Sequence, residues 1–324
     1  MTRSEFLFVA IDVIFHPAQN YRRYKDIKVS EDFCYDNNFP KECLAEYYYD
    51  PKLLETGKKM PVIVNFHGGG FVAGDKKHRV SLCKRYASHG YFVVNANYRL
   101  APKYSFPALA QDAVKAVNYL ENTAKSYNID LDKVVVTGDS SGAYLASEYT
   151  AIACNEDLCK KLECDKVKIK PALLLSWCGV YDFEKSITLT KLPFNMVWDI
   201  GRCEIDNDGF HLNKDFSNMK DFPLLKEASP INWINKDWCT SYLVMSKKDV
   251  FCKGQGELLA EKLNELGIKT QVFHSTKVTD NHCFHMDMYK SISKKVFKEV
   301  FEFMEDYFKE EEIGNEEIED KIAQ

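Results

Sequence analysis

Short, almost unbroken apolar runs alternate along the chain with segments whose apolar residues recur at helical spacing. Pro61–Phe66 (PVIVNF), Tyr91–Tyr98 (YFVVNANY), Lys133–Thr137 (KVVVT), Ala172–Trp177 (ALLLSW) and Ser241–Met245 (SYLVM) read as buried strands. Each is short and apolar, and most are rich in β-branched or aromatic residues. Thr270–His274 reads as a last short strand. Helical spacing runs from Lys77 to His89 and stops at Gly90, and from Glu257 to Leu266, closed by Gly267. Glycine in that position suits the left-handed residue that ends a helix. Further helices are expected from Phe106-Pro107 towards Tyr127, from Ser140 to Ala153, and from about Met286 to Lys309. Strand and helix in alternation predict an α/β fold, with a mostly parallel sheet and helices on both faces.

Two segments break the alternation. Residues 1 to about 26 precede the first buried strand. Residues about 183–228 separate two strands and carry Pro193, Trp198, Gly201, Gly209 and Pro223 without a clear strand pattern. An insertion of that length in a compact domain is usually functional, and its aromatic content argues for an ordered cap. Phe6–Phe15 is apolar but interrupted by Asp12, and no small-residue cleavage site follows, so a body- or site-covering helix is expected rather than a signal peptide. With no internal repeat or low-complexity linker, the 324 residues read as one domain with a cap.

Composition narrows the choice of partner. The net charge is −5, and seven acids against one lysine between Glu310 and Gln324 account for the excess. That end reads as a solvated acidic tail. The remainder is close to neutral, without the basic face a nucleic-acid partner requires. No run reaches the roughly 18 apolar residues of a membrane span. The 11 cysteines are odd in number, scattered, and contain no CxxC pair. They predict reduced, mostly buried thiols in a cytoplasmic protein, with neither a disulfide framework nor a zinc site.

The chemistry concentrates at three places. Gly138-Asp139-Ser140-Ser141-Gly142 follows a strand and opens a helix. In that setting G-x-S-x-G forms a sharp turn that lifts the serine above the sheet edge, at a helix end whose N–H groups lack partners. His67-Gly68-Gly69-Gly70 follows another strand. Its glycines allow backbone amides close to a ligand, so Gly68 and Gly69, with the amide of Ser141, are candidate donors to a developing oxyanion. Asp249 follows the strand 241–245, and His282 lies in a loop after the last strand (DNHCFH). The order serine, acid, histidine suits a nucleophile elbow. Asp280 and His285 are the rivals for acid and base. Phe71, Trp177, Trp198 and Phe284 are candidates to line a substrate pocket.

These motifs resemble those of the hormone-sensitive-lipase-like carboxylesterases of the α/β-hydrolase superfamily. The resemblance rests on HGGGFVAG at 67–74, NYRLAPKYSFPA at 97–108, GDSSG at 138–142, the aspartate of SKKDVF and the histidine of HCF. It implies an α/β-hydrolase fold with a helical cap. It also implies hydrolysis of small or aromatic carboxylic esters by Ser140, Asp249 and His282, with no cofactor or metal. The chain departs from the family at Ser141, where alanine is commoner, at Cys283, where glycine is common, and in the looser VFCKGQ after Asp249. An amidase or peptidase on the same scaffold, or a ligand-binding receptor that has kept the fold, are the alternatives.

Overall fold

The computed structural model describes residues 1–20, 24–190, 192 and 195–323, with side chains at all of these except 188, 189, 312 and 314–323. The expected cap segments fall partly on residues 21–23, 191, 193 and 194, Pro193 among them, which lie outside the described residues. So do most side chains of the acidic tail. By compactness the chain divides into Met1–Cys283 and Phe284–Gln324.

The first unit opens with helix α1 (Arg3–Gln19), started by a capping box in which Thr2 and Glu5 satisfy each other's backbone amides. Strands β1 (Lys28–Val29), β2 (Phe33–Cys34) and β3 (Leu44–Tyr49) follow, then helix α2 (Pro51–Glu55) and strand β4 (Met60–Phe66). Next come α3 (Val80–Ala87), β5 (Phe92–Ala96), α4 (Ala108–Asn118), α5 (Leu120–Thr123), β6 (Ile129–Asp139), α6 (Ser141–Cys154), α7 (Glu156–Lys161) and β7 (Leu173–Trp177). The insertion folds mainly as two helices, α8 (Phe183–Leu189) and α9 (Met196–Ile205). Strand β8 (Thr240–Ser246), helix α10 (Gln255–Glu265) and strand β9 (Thr270–Ser275) complete the unit.

The strands form one sheet in the order β1-β3-β5-β4-β6-β7-β8-β9, with β2 on β3. From β5 to β9 every pairing is parallel, while β1, β2 and β5 each pair with β3 antiparallel. The parallel, mostly buried part is what the apolar runs predict. The antiparallel edge is not: β1 and β2 have two residues each, and the LAEYYY of β3 carries a glutamate among its aromatics. That glutamate, Glu46, is satisfied by Lys76 and by the Tyr48 hydroxyl. Strand β6 is longer than KVVVT suggests, because Ile129 and Asp130 already pair with Met60 and Pro61 before a shift in register.

Parallel strands place their C-terminal ends along one edge, and a buried ion pair fastens one loop near that edge. Arg99 follows β5 and donates through Nε to the Asp112 carboxylate at 2.9 Å, while its backbone N–H reaches the same carboxylate at 2.8 Å. Its guanidinium also donates to the Ala108 carbonyl and lies 4.1 Å from the Phe39 ring centre.

The second unit contains α11 (Ser291–Ala323). Val296, Phe297, Val300, Met304 and Phe308 are buried at helical spacing, while Lys295–Glu299 and Lys298–Glu302 pair on exposed positions. Among the described residues no helix is long and apolar enough to cross a membrane.

Asp112→Ala leaves the Arg99 charge buried without its partner. It is expected to lower the free energy of unfolding by about 3–5 kcal/mol, read from urea denaturation followed by circular dichroism.

Candidate active site

Ser140 sits between β6 and α6 with φ 55° and ψ −119°, a left-handed backbone that a side chain adopts only under strain. The strain is held from several sides. The Ser140 N–H donates to the Trp177 carbonyl at 2.9 Å, and the Ser140 carbonyl accepts from Tyr144 N–H as α6 begins. The flanking glycines permit the approach of β4. A Cβ on Gly142 would stand 2.1 Å from the Phe66 carbonyl oxygen, and one on Gly138 would stand 2.3 Å from the Gly142 carbonyl carbon.

The glycine loop leaves β4 beside this turn. A Cβ on Gly68 would meet the Asp139 carbonyl at 2.6 Å and the Ser140 Cβ at 3.1 Å. The loop therefore runs against the serine turn, with the Asp139 carboxylate, 2.4 Å from where that Cβ would stand, filling the space a side chain would need. The Gly69 carbonyl accepts from the N–H groups of Val72 and Ala73, which closes the loop as a turn. Ser141 is the first residue of α6, where the amides have no helical partner. His67 is buried and stacks on Tyr98 with ring centres 4.5 Å apart. The Tyr98 hydroxyl donates to the His67 carbonyl at 2.6 Å. Burial lowers the His67 pKa to about 4. It is a neutral spacer that fixes the loop.

Behind the serine lies a contact that no motif announces. Arg79 grips Asp139 through Nε and Nη2, both at 2.6 Å, and both residues are buried. This two-pronged geometry fixes the carboxylate in direction as well as position. Burial works against the Arg79 charge, but the facing carboxylate outweighs it and raises the pKa.

The acid and the histidine come from the loops after β8 and β9. Asp249 closes a tight turn, its N–H donating to the Ser246 carbonyl at 3.1 Å. Its Oδ1 accepts from the backbone N–H groups of Phe251 and Cys252, both at 2.8 Å. His282 Nδ1 lies 2.9 and 2.8 Å from the two carboxylate oxygens. An ionised carboxylate only accepts, so the proton is on Nδ1 and the lone pair on Nε2. Burial raises the Asp249 pKa, but the imidazole and the two amides outweigh it and hold the carboxyl below its usual range.

The rivals are used otherwise. The Asp280 side chain accepts from Ser275 Oγ at 2.5 Å and from Thr279, and its carbonyl accepts from the Ser246 hydroxyl. It locks the β8 and β9 loops together. His285 is buried in the second unit, as is Phe284.

A cavity of about 60 Å³ opens at Ser140, room for roughly four or five waters. Its wall is apolar and comes from separate segments: Phe8 of α1, Phe71, Phe183 and Ile187 of α8, Ile200 of α9, and Phe251. Of the four expected lining residues Phe71 is in this wall, and Trp177, Trp198 and Phe284, which belongs to the second unit, are not among its residues. The Trp177 side chain is buried in the core and donates Nε1–H to the Tyr86 hydroxyl at 3.0 Å; at the site it contributes only its carbonyl. Trp198 donates to the Leu212 carbonyl and packs under Arg202 and Lys214. Val197, Ile200 and Gly201 share the cavity-facing side of α9, and Trp198 is turned about 100° from Val197 on that helix. Phe8, Phe183, Ile187, Ile200 and Phe251 were not singled out in the sequence; the only signal was the length and aromatic content of the segments that carry most of them.

The chain matches the family model described as BD-FAE over residues 49–263. It is 35% identical over 100 residues to esterase LipI of Mycobacterium tuberculosis, covering 31% of each protein. With esterase LipQ of the same organism it shares 24% identity over 76% of this chain and 55% of LipQ. The chain thus spans about a third and about half of these two relatives. Probable carboxylesterase 7 of Arabidopsis thaliana is 25% identical over 85% of this chain and 86% of that protein. Among solved structures, esterase B from Lactobacillus rhamnosis superposes with a TM-score of 0.81 at 20% identity, over 96% of both chains. A bacterial heroin esterase does so at 0.76 and 18%, over 94% of this chain and 92% of that one. With a mostly parallel sheet that carries its candidate residues at the C-terminal strand ends, the chain has the fold of these esterases, an α/β-hydrolase fold, and belongs to the BD-FAE family.

Proposed function

We propose that the protein is a serine carboxylesterase acting on small-molecule esters with a short or compact acyl group, through an acyl-enzyme. The observation that carries this reading is a strained serine at the mouth of a small apolar cavity, with a carboxylate-held imidazole on the neighbouring loops. In this reading Nε2 of His282 takes the Ser140 proton as the hydroxyl attacks the ester carbonyl. The amides of Gly68, Gly69 and Ser141 stabilise the oxyanion. His282 then protonates the leaving alcohol, and water repeats the sequence on the acyl group. Asp249 keeps the imidazole in the Nδ1–H form and balances its charge once protonated.

The cavity supports the preference for small acyl groups, because its apolar walls leave little room beyond a few carbon atoms. Helices α1, α8 and α9 act as the cap. The relatives and structural neighbours are esterases and carboxylesterases by name, which supports ester over amide chemistry. All eleven cysteines are unpaired, which supports a reducing, cytoplasmic setting.

On p-nitrophenyl acetate, butyrate, octanoate and laurate, the protein is expected to turn over the short esters fastest. Ser140→Ala lowers the rate by a factor of about 10⁴ or more while circular dichroism stays unchanged. Equal rates in the two proteins would end the proposal. His282→Ala is expected to match Ser140→Ala, whereas Asp249→Asn gives a folded protein of reduced turnover; undiminished activity in either would remove that residue from its role. Phe183→Ala enlarges the cavity and should shift the preference among these esters towards longer chains, measured as a change in the octanoate-to-acetate ratio of kcat/KM.

A further inference from the structure

Two cysteines that play no part in the proposed hydrolysis stand against its imidazole. Cys178 follows β7, and its N–H donates to the Val244 carbonyl at 2.8 Å. Cys283 follows His282 directly. Both have φ 52°, the left-handed region where glycine is the residue without steric cost. The chain thus places a thiol at two positions where a side chain costs energy. The two thiols interact with each other. The Sγ atoms of Cys178 and Cys283 and a ring nitrogen of His282 all lie within 4.8 Å of one another.

We propose that Cys178, Cys283 and His282 form a binding site for one thiophilic divalent cation of the Zn²⁺ type, and that occupancy switches hydrolysis off. Thiolate and imidazole are the donors such ions select. On a tetrahedral zinc, with bonds of about 2.3 Å to sulfur and 2.0–2.1 Å to nitrogen, donors stand roughly 3.6–3.8 Å apart. The cluster therefore contracts by about an ångström at most. The charges also balance. Each thiol releases its proton to solvent, and two thiolates neutralise the dication, which matters where little water reaches. Three protein donors leave the fourth position of a tetrahedral ion to a non-protein ligand.

The consequence for turnover follows from the imidazole. Bound at Nε2, it loses the lone pair that accepts the serine proton. Bound at Nδ1, it loses the Asp249 carboxylate that orients it. The inhibitory half of this inference rests on the proposed hydrolysis; the binding half does not. Chain spacing gives no hint of the site, because Cys178 and His282-Cys283 meet only through the loops at the ends of β7 and β9.

The test uses the whole 324-residue chain, reduced and freed of metal with a chelator, titrated with Co²⁺ and then Zn²⁺. The expected result is a thiolate-to-cobalt charge-transfer band that saturates at one equivalent and is abolished by one equivalent of zinc. Cys178→Ser and Cys283→Ser are expected to weaken the affinity by at least about 100-fold, while Cys34→Ser binds as the parent does. In the parent, p-nitrophenyl acetate hydrolysis falls in step with zinc occupancy; each cysteine variant, relative to its own metal-free rate, resists the same zinc concentration. The titration repeated on Ser140→Ala is expected to give the same band, so it reads metal binding without any turnover. Absence of the band in the parent, or undiminished affinity in both variants, overturns the site. If either variant fails to fold, the parent's band and stoichiometry decide. An active enzyme without the band loses only the metal inference, and an inactive protein with it loses only the hydrolase reading.

Discussion

The candidate site depends on how closely the chain approaches itself where β4 ends. The Phe66 and His67 carbonyls lie where a Cβ on Gly142 would be, and the Asp139 carbonyl lies where a Cβ on Gly68 would be. Strand β4, the turn before α6 and the glycine loop are therefore in backbone contact around Ser140. That contact brings loop amides and serine together, and it tolerates no side chain at either glycine. The strained φ of Ser140 persists because its N–H, its carbonyl and its neighbours are all committed elsewhere.

Charge is arranged to keep that contact rigid and, in the proposed hydrolysis, to leave the His282 imidazole for proton transfer. Arg79 and Asp139 neutralise each other behind the serine. His67, buried against Tyr98, is neutral and serves as packing. Asp249 is ionised, held by two amides and by His282. A buried pair of this kind adds little net stability over an apolar pair of similar shape. What it supplies here is direction: a carboxylate that accepts at Nδ1 leaves Nε2 as the base of the proposed hydrolysis. The same arrangement makes the imidazole a suitable third donor beside two thiols.

Much of this was legible in the sequence, for physical reasons. Buried parallel strands are short apolar runs, so β4 to β8 stand out. A sharp strand-to-helix turn needs small residues on both sides, so GDSSG carries the position of Ser140 in five letters. What stayed hidden depends on contacts between distant segments. Strands β1 and β2 are too short to show a pattern. Arg79 looks like any basic residue in a helix-forming stretch until Asp139 folds against it. Trp177 and Trp198 read as pocket aromatics by composition, but one is buried in the core and the other is half-buried beside the Leu212 carbonyl, off the cavity-facing side of α9. The cavity wall is assembled from α1, α8, α9 and the Asp249 loop. No local window contains it.

The central claim is that Ser140 is a nucleophile activated by its surroundings. The most direct measurement is reaction of the folded protein with a small fluorophosphonate, followed by peptide mass spectrometry. A single phosphonyl adduct is expected on the peptide containing Ser140, formed by the parent protein and not by His282→Ala. A folded protein that leaves Ser140 unmodified, or carries the adduct on another residue, would contradict it.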